Sequence, residues 1–192
     1  MTVLVVGLAA LCGYLVGSMS TAALVGRARG LDLRLLGSGN PGATNVGRVM
    51  GVRWGVLVAI VDVAKGFAVA LLFGLLLEQA GLVAGLAAVV GHVSSPFLRG
   101  RGGKGVATTL GAVLAVQPLW GLALAGVFLV VVLAFRWVAL ASLASAVALT
   151  VLAFVADVDT QHRVWAVVLT VVIVARHRSN VVARWRAWRV YH

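Results

Sequence analysis

Val113-Leu114-Ala115-Val116-Gln117-Pro118-Leu119-Trp120 lies within an apolar stretch running from Ala107 to Ala134, and its reading decides the fold. As one helix, 107–134 would be about 42 Å long at about 1.5 Å per residue, a single crossing of a bilayer. That would put Arg136 and the arginines of the tail on the opposite side from every other basic loop. Broken at Gln117-Pro118, where proline is a plausible place to turn, the stretch makes two short crossings. The chain then has seven candidate spans: 3–26, 54–77, 80–97, 105–117, 118–135, 138–156 and 162–176. The short fourth and fifth spans need a thin or protein-shielded place in the membrane.

The charges support the break. Of sixteen Lys and Arg residues, Lys65 lies inside a span and Arg163 falls in an outer connection. All the others lie on one side: Arg27, Arg29, Arg34, Arg48 and Arg53, then Arg99, Arg101 and Lys104, then Arg136, then the tail from Arg176. Glu78, Asp157 and Asp159 fall opposite. This is the positive-inside pattern, with the N-terminus outside and the C-terminus cytoplasmic.

Composition agrees. The chain is 62% hydrophobic and 11% charged, with a mean hydropathy of +1.08, whereas soluble domains keep about a quarter of their residues charged. Several runs reach the roughly 20 apolar residues that a bilayer requires. The expectation is an all-α, polytopic integral membrane protein forming one domain over 1–192, with no soluble module. A net charge of +11 would ordinarily suggest nucleic acid, but the basic residues anchor loops at one membrane face, and no nucleic-acid partner is expected. Nothing basic precedes the first apolar run, so a cleavable signal is not expected. Cys12 is the sole cysteine, which excludes an intrachain disulfide.

Three polar constellations interrupt the apolar pattern on the basic side. The first is Gly37-Ser38-Gly39-Asn40-Pro41-Gly42-Ala43-Thr44-Asn45-Val46-Gly47-Arg48. Its glycines let main-chain N–H groups approach a ligand without Cβ interference. Ser38, Asn40, Thr44 and Asn45 add side-chain hydrogen bonds, and Arg48 a planar fork suited to phosphate. The second, Arg99-Gly100-Arg101-Gly102-Gly103-Lys104-Gly105-Val106-Ala107-Thr108, leads into the fourth span. Helix-start N–H groups and the helix dipole favour an anion there, and Lys104 adds a point charge. It is not a Walker A loop, because Gly105 follows the lysine. Gly37–Gly42 also fits G-x-G-x-x-G, but no strand-helix-strand unit surrounds it. The third is Arg176-His177-Arg178-Ser179-Asn180, in which His177 and Asn180 share a helix face if the helix continues.

Other polar residues carry two readings each. Asp62 and Lys65, three apart on an apolar helix, form either a self-satisfying ion pair or part of the machinery. His92, at the end of a span, either packs or contacts substrate. Ser142 reads as a helix-packing serine. Trp185, Trp188 and Tyr191 among the tail arginines read as an interfacial anchor.

G-S-G-N-P-G-A-T-N-x-x-R, then D-x-x-K-G at Asp62–Gly66, then Gly91-His92, G-G-K-G-V-A-T and R-H-R-S-N resemble, in order and over nearly the whole chain, the bacterial acyl-phosphate:glycerol-3-phosphate acyltransferases of the PlsY type. Gly17-Ser18-Met19-Ser20-Thr21-Ala22 is similar too. The chain departs from the family pattern at Ser20, in place of a common proline, and at Ser94-Ser95, in place of an aromatic-proline pair. The resemblance implies a seven-helix enzyme of the bacterial plasma membrane with its active site facing the cytoplasm. It would move a fatty acyl group from acyl phosphate to the sn-1 hydroxyl of glycerol 3-phosphate. The products would be 1-acyl-glycerol 3-phosphate (lysophosphatidic acid) and phosphate, the first step of phospholipid synthesis.

On that reading both substrates carry phosphate, and the two glycine loops supply two anion sites: Ser38, Gly39, Asn40, Thr44, Asn45 and Arg48 in one, Gly102, Gly103, Lys104 and Gly105 in the other, with His92 beside them. His177 is a general base or an orienter of the acceptor hydroxyl. Asn180 stands with it, and the resemblance raises Ser142 into the same set. An acyl phosphate is already activated, so no cofactor, metal or covalent acyl-enzyme is expected. A transporter of a phosphorylated metabolite is the competing class, since polar breaks between helices also line transport paths. It calls for paired broken segments in two matching halves, and the sequence has none.

Overall fold

The computed structural model describes residues 1–191; the side chains of Trp188 and Tyr191, expected at the interface, lie outside the described residues. Among the described residues the chain is helical, without strands. It forms two compact units, one over Met1–Leu122 and one from Ala123 onward.

The first unit opens with α1 (Thr2–Ser18) and α2 (Thr21–Ala28). The expected single span over 3–26 is therefore interrupted. Met19 is extended, with φ −67° and ψ 107°, and Ser20 caps α2 by accepting from the backbone N–H of Ala23 at 3.2 Å. A serine oxygen at this position satisfies one of the orphan donors of a helix start. After the first polar loop come α3 (Ala43–Met50), α4 (Val52–Gly74), α5 (Glu78–Val93), a 3₁₀ turn (Pro96–Leu98) and α6 (Val106–Val116).

Small residues set the spacing of these helices. A Cβ at Gly13 or Gly17 of α1 would overlap the backbone of Ala84 or Ala88 in α5. Gly66 of α4 meets Thr108 of α6 in the same way, and Gly111 of α6 meets Val63. Where lipid removes the hydrophobic drive between helices, such close backbone approach supplies the attraction.

The break at Gln117 is present. Gln117 leaves the helical region (φ −137°, ψ 81°), and Pro118 begins α7 (Pro118–Phe135). A Cβ on Gly121 would lie 2.9 Å from the Cα of Leu114, an approach that a continuous helix forbids at a separation of seven residues. The chain therefore folds back, and the single-helix alternative fails. α6 has 11 residues, about 16 Å of rise.

The second unit holds most of α7 with α8 (Val138–Val155) and α9 (Thr160–Tyr191). Hydroxyls join α8 to α9: Thr150 donates to Thr170 at 2.9 Å, and Thr170 to the carbonyl of Ala146 at 2.7 Å. Ser145 reaches the carbonyl of Leu124 in α7 at 3.2 Å. α9 runs well past the expected end at 176, carrying the third constellation within one helix. Arg189 stacks over Trp185, 3.7 Å from its ring centroid.

Among the described residues, six segments are long and apolar enough to cross a membrane: Thr2–Ala28, Val52–Gly74, Glu78–Leu98, Pro118–Phe135, Val138–Val155 and Thr160–Arg186. α6 is the seventh apolar helix and is too short to cross a full hydrocarbon core of about 30 Å.

Candidate active site

The first loop is organised by one side chain. Asn45, on the inner face of α3, is fully buried. Its Oδ1 accepts from the backbone N–H of Ser38 at 2.8 Å. Its Nδ2 donates to the carbonyls of Leu33 at 3.2 Å and Leu36 at 3.0 Å. Asn45 thus acts on the loop, and any effect on a ligand is indirect. Gly37 and Gly39 have φ of +59° and +69°, and a side chain at Gly37 would strike the Asn45 amide. Both properties require glycine. On the opposite side Ser38, Thr44 and Arg48 are exposed, with Gly39 and Asn40 half-buried. Thr44 and Arg48, four apart, share one face of α3. A cavity of about 250 Å³ opens beside this loop, lined in part by Arg27, Asp32, Arg34, Pro41 and Leu98. Asp32 and Arg34 pair at 2.6 Å on its rim. Arg34's side chain, then its backbone N–H, holds the Asp32 carboxyl down to about 2.

The second loop is pinned to the end of α5. The backbone N–H groups of Gly102 and Gly103 donate to the carbonyls of Val93 at 3.2 Å and His92 at 3.1 Å. Their glycine character serves this fit, because a Cβ at Gly102 would overlap the His92 carbonyl. A methyl on Gly103 would overlap the imidazole at Nε2. Gly105 adopts the left-handed conformation, φ +85°, and caps α6. The first intrahelical bond is from Thr109 N–H to the Gly105 carbonyl at 2.8 Å, so the N–H groups of Val106, Ala107 and Thr108 precede any i−4 partner. Those amides, with the half-buried Lys104, stand where the sequence leads us to expect a helix-start anion site.

Behind this loop lies a polar network whose extent the sequence does not reveal. Asp62 and Lys65 do form an ion pair, at 2.8 Å. The Lys65 ammonium also reaches the carbonyl of Met19 at 3.0 Å and Nδ1 of His92 at 2.9 Å. Thr21 donates to the same Asp62 oxygen at 2.9 Å. The carbonyl of Met19 is available because the chain leaves the helical path there. Ser18's carbonyl accepts from Ser95 at 2.6 Å. Ser20 and Ser95, two of the departures from the family pattern, thus have local uses, one as a cap and the other as a donor to the broken helix. The legible signal for Thr21 was a run of hydroxyls within an apolar span.

The third constellation belongs to the second unit. His177 is buried, and its Nδ1 lies 2.8 Å from the carbonyl of Ile173, one turn back in α9. A carbonyl only accepts, so Nδ1 carries the proton and Nε2 of the neutral ring is an acceptor. Because α9 continues, His177 and Asn180 share a helix face, as the spacing predicts. Ser142 in α8 is buried and donates to the carbonyl of Val138 at 2.9 Å, the bond expected of a helix-packing serine.

Comparison with known proteins identifies the family. Residues 7–187 match the family described as glycerol-3-phosphate acyltransferase. The glycerol-3-phosphate acyltransferase of Geotalea daltonii is 40% identical over 170 residues, 88% of each chain. That of Aquifex aeolicus is 41% identical over 173 residues, 88% of this chain and 89% of its own. Among solved structures, PlsY, an integral membrane glycerol 3-phosphate acyltransferase in its glycerol 3-phosphate form, superposes with a TM-score of 0.91. It is 37% identical, over 95% of this chain and 92% of its own. The lysophosphatidic acid form of PlsY gives a TM-score of 0.88 at 36% identity, with the same coverage. The chain belongs to the glycerol-3-phosphate acyltransferase family of integral membrane enzymes.

Proposed function

We propose that the enzyme transfers a fatty acyl group from acyl phosphate to the sn-1 hydroxyl of glycerol 3-phosphate, giving 1-acyl-glycerol 3-phosphate and inorganic phosphate. The observation that carries this reading is the pair of glycine-built, cationic loops, one with Arg48 and one with Lys104, in a chain that also holds a buried histidine with an acceptor nitrogen. Two phosphorylated substrates need two anion sites, and an alcohol acceptor needs a hydrogen-bond acceptor. The PlsY structures in glycerol 3-phosphate and lysophosphatidic acid forms support the acceptor and the product.

In this scheme Ser38, Gly39, Asn40, Thr44 and Arg48 hold one phosphate, with Asn45 shaping their loop. Lys104 and the amides from Gly105 onward hold the other, with Gly102 and Gly103 setting the loop against His92. Nε2 of His177 accepts the hydrogen bond of the acceptor hydroxyl and orients it, with Asn180 and Ser142 as its neighbours in role. The hydroxyl oxygen attacks the acyl carbonyl, the bond from that carbon to the phosphate oxygen breaks, and the departing phosphate takes the proton. Lys104 and the helix-start amides stabilise the charge that develops. The acylated product keeps its phosphate.

Purified protein in detergent, given acyl phosphate, should release inorganic phosphate only when glycerol 3-phosphate is present. Release without the acceptor, or none with it, would overturn the proposal. The enzyme is further placed in a bacterial plasma membrane, N-terminus outside, with its loops in the cytoplasm. Cysteines at positions 34 and 178 should then react from the cytoplasmic side, and one at 157 from outside. Labelling of 34 and 157 from the same side would refute that topology.

A further inference from the structure

We infer that the cavity at the end of α2 is a binding site for the phosphate of an anionic phospholipid, with Arg27 as its cation and α2 as the wall along which the acyl chains run. The inference concerns the binding of a membrane lipid and does not rest on the reaction proposed above.

The cavity is built by a reversal of the chain. α2 ends at Ala28. Gly30, in the left-handed region at φ +69°, turns the backbone so that the N–H of Leu31 donates to the carbonyl of Gly26 at 2.9 Å. A Cβ on Gly26 would lie 2.9 Å from the Leu31 carbonyl oxygen and 3.1 Å from the Leu33 side chain, so this return needs glycine. Leu33 and Leu98, both buried, line the cavity with Ala23 and Leu31. About 250 Å³ is left open.

Three charged side chains complete the lining: Arg27, Asp32 and Arg34. Arg34 takes up the Asp32 carboxylate, through Nε at 2.9 Å and Nη2 at 2.6 Å, with its backbone N–H at 3.0 Å. Arg27 has no hydrogen bond or ion pair among the described residues. The lining therefore carries one uncompensated positive charge, presented as a planar fork suited to phosphate. A phosphodiester, with a single negative charge, complements it. A phosphomonoester, with about 1.5 to 2 negative charges at neutral pH, does not.

Position favours a lipid over a free diester. Arg27 stands in the last turn of α2, at the end of the span Thr2–Ala28. Ala23 lies four residues earlier on the same helix face, about 5.4 Å further into the span. Leu24, beside it, is exposed, so apolar surface continues from the cavity along the span while the charge stands at its end. A ligand with an anionic head and apolar chains matches that order. A general positive anchor would explain the charge of Arg27 but not the enclosed apolar space next to it.

The test uses the intact enzyme, delipidated in detergent and titrated with phosphatidylglycerol, with bound lipid counted by native mass spectrometry. One molecule should be retained. Diacylglycerol, which lacks the phosphate, should bind at least about tenfold more weakly, the lower end of the range for a charge-assisted hydrogen bond. Arg27→Gln should weaken phosphatidylglycerol binding by about the same factor. Ala23→Leu, which keeps every charge and fills the cavity, should weaken it too. Arg53→Gln removes an exposed arginine that does not line the cavity and should leave binding unchanged. Thermal unfolding checks that each variant is folded; Arg27 is exposed, so its variant decides even if Ala23→Leu fails to fold. Equal losses in the Arg27 and Arg53 variants would reduce the site to general attraction by a basic face and overturn the inference. Wild-type binding in folded Ala23→Leu would also overturn it, by placing the lipid elsewhere. Displacement of the lipid by inorganic phosphate or glycerol 3-phosphate would overturn it as well, since the cavity would then be a site for a small phosphate. None of these measurements involves turnover, so failure of the proposed reaction is read separately.

Discussion

Two of the buried histidines, His92 in the first compact unit and His177 in the second, are wired in opposite senses. His177 faces a backbone carbonyl with its Nδ1, so its Nε2 is an acceptor. His92 faces an ammonium with its Nδ1, so its Nε2 is a donor. Residue type and burial are the same; the partner behind the ring decides what the front of the ring can do. An acceptor suits an alcohol.

The largest effect should come from the acceptor side. His177→Ala should lower kcat/KM by about 10²–10⁴-fold. If the role is orientation through Nε2, His177→Gln, which can place an oxygen near that position, should retain more activity than His177→Asn, which reaches only the Nδ1 position. Equal loss in all three, with an acid limb in the pH profile that vanishes with the histidine, would make His177 the general base and end the symmetry drawn here.

Next come the cations. Lys104→Ala and Arg48→Ala should each cost about 1.5–3 kcal/mol per charge-assisted hydrogen bond lost, roughly 10- to 150-fold in kcat/KM. Steady-state kinetics on folded, membrane-inserted protein measures this. Normal turnover in either variant would leave that loop structural.

The donor side can be probed by volume. Gly103→Ala places a methyl against His92 and should destabilise the fold by about 1–3 kcal/mol, as overpacking does. Gly126→Ala meets nothing within 4 Å and serves as the control in a thermal unfolding assay. Equal stability of the two variants would mean that the His92 ring moves freely.

The smallest effect tests specificity of place. Asp32 has its carboxyl held at about 2 by Arg34, against an ordinary 3.8. A depressed carboxylate stabilises above its unfolded value and loses that contribution as pH falls through the folded one. Between neutrality and about pH 4 this pair should therefore be silent. Arg34→Ala should return the Asp32 titration toward 3.8 by NMR with turnover unchanged, because an exposed pair contributes little. Altered turnover would bring the neighbouring cavity into the site.

Much of this was legible in the sequence. Apolar runs and Pro118 gave the helical membrane class and the reversal at Gln117, because both depend on local composition. Glycine density marked both loops. What Asn45 and Gly102 do was not legible, since a residue that builds a loop and one that touches a ligand have the same chemistry and differ only in direction. The break at Met19-Ser20 was hidden by the hydrophobicity on either side of it. Lys65's link to His92 joins residues 27 apart in the chain and emerges only when helices pack.

The shortness of α6 sets where the reaction runs. Lys65 lies in the middle third of α4 (Val52–Gly74), about 20 Å from its start and about 14 Å from its end. His92 and then Gly103 are tied to it, so α6 starts partway along α4, and its 11 residues rise only about 16 Å. On the proposed reading, a phosphate at the Lys104 loop would then sit below the plane of the lipid headgroups. An acyl-bearing donor arrives by lateral diffusion, already dissolved in the phase where it reacts, while the polar acceptor descends from water. The rate should therefore follow the mole fraction of donor among the lipids or detergent, a surface-dilution law, and not its amount per volume of buffer.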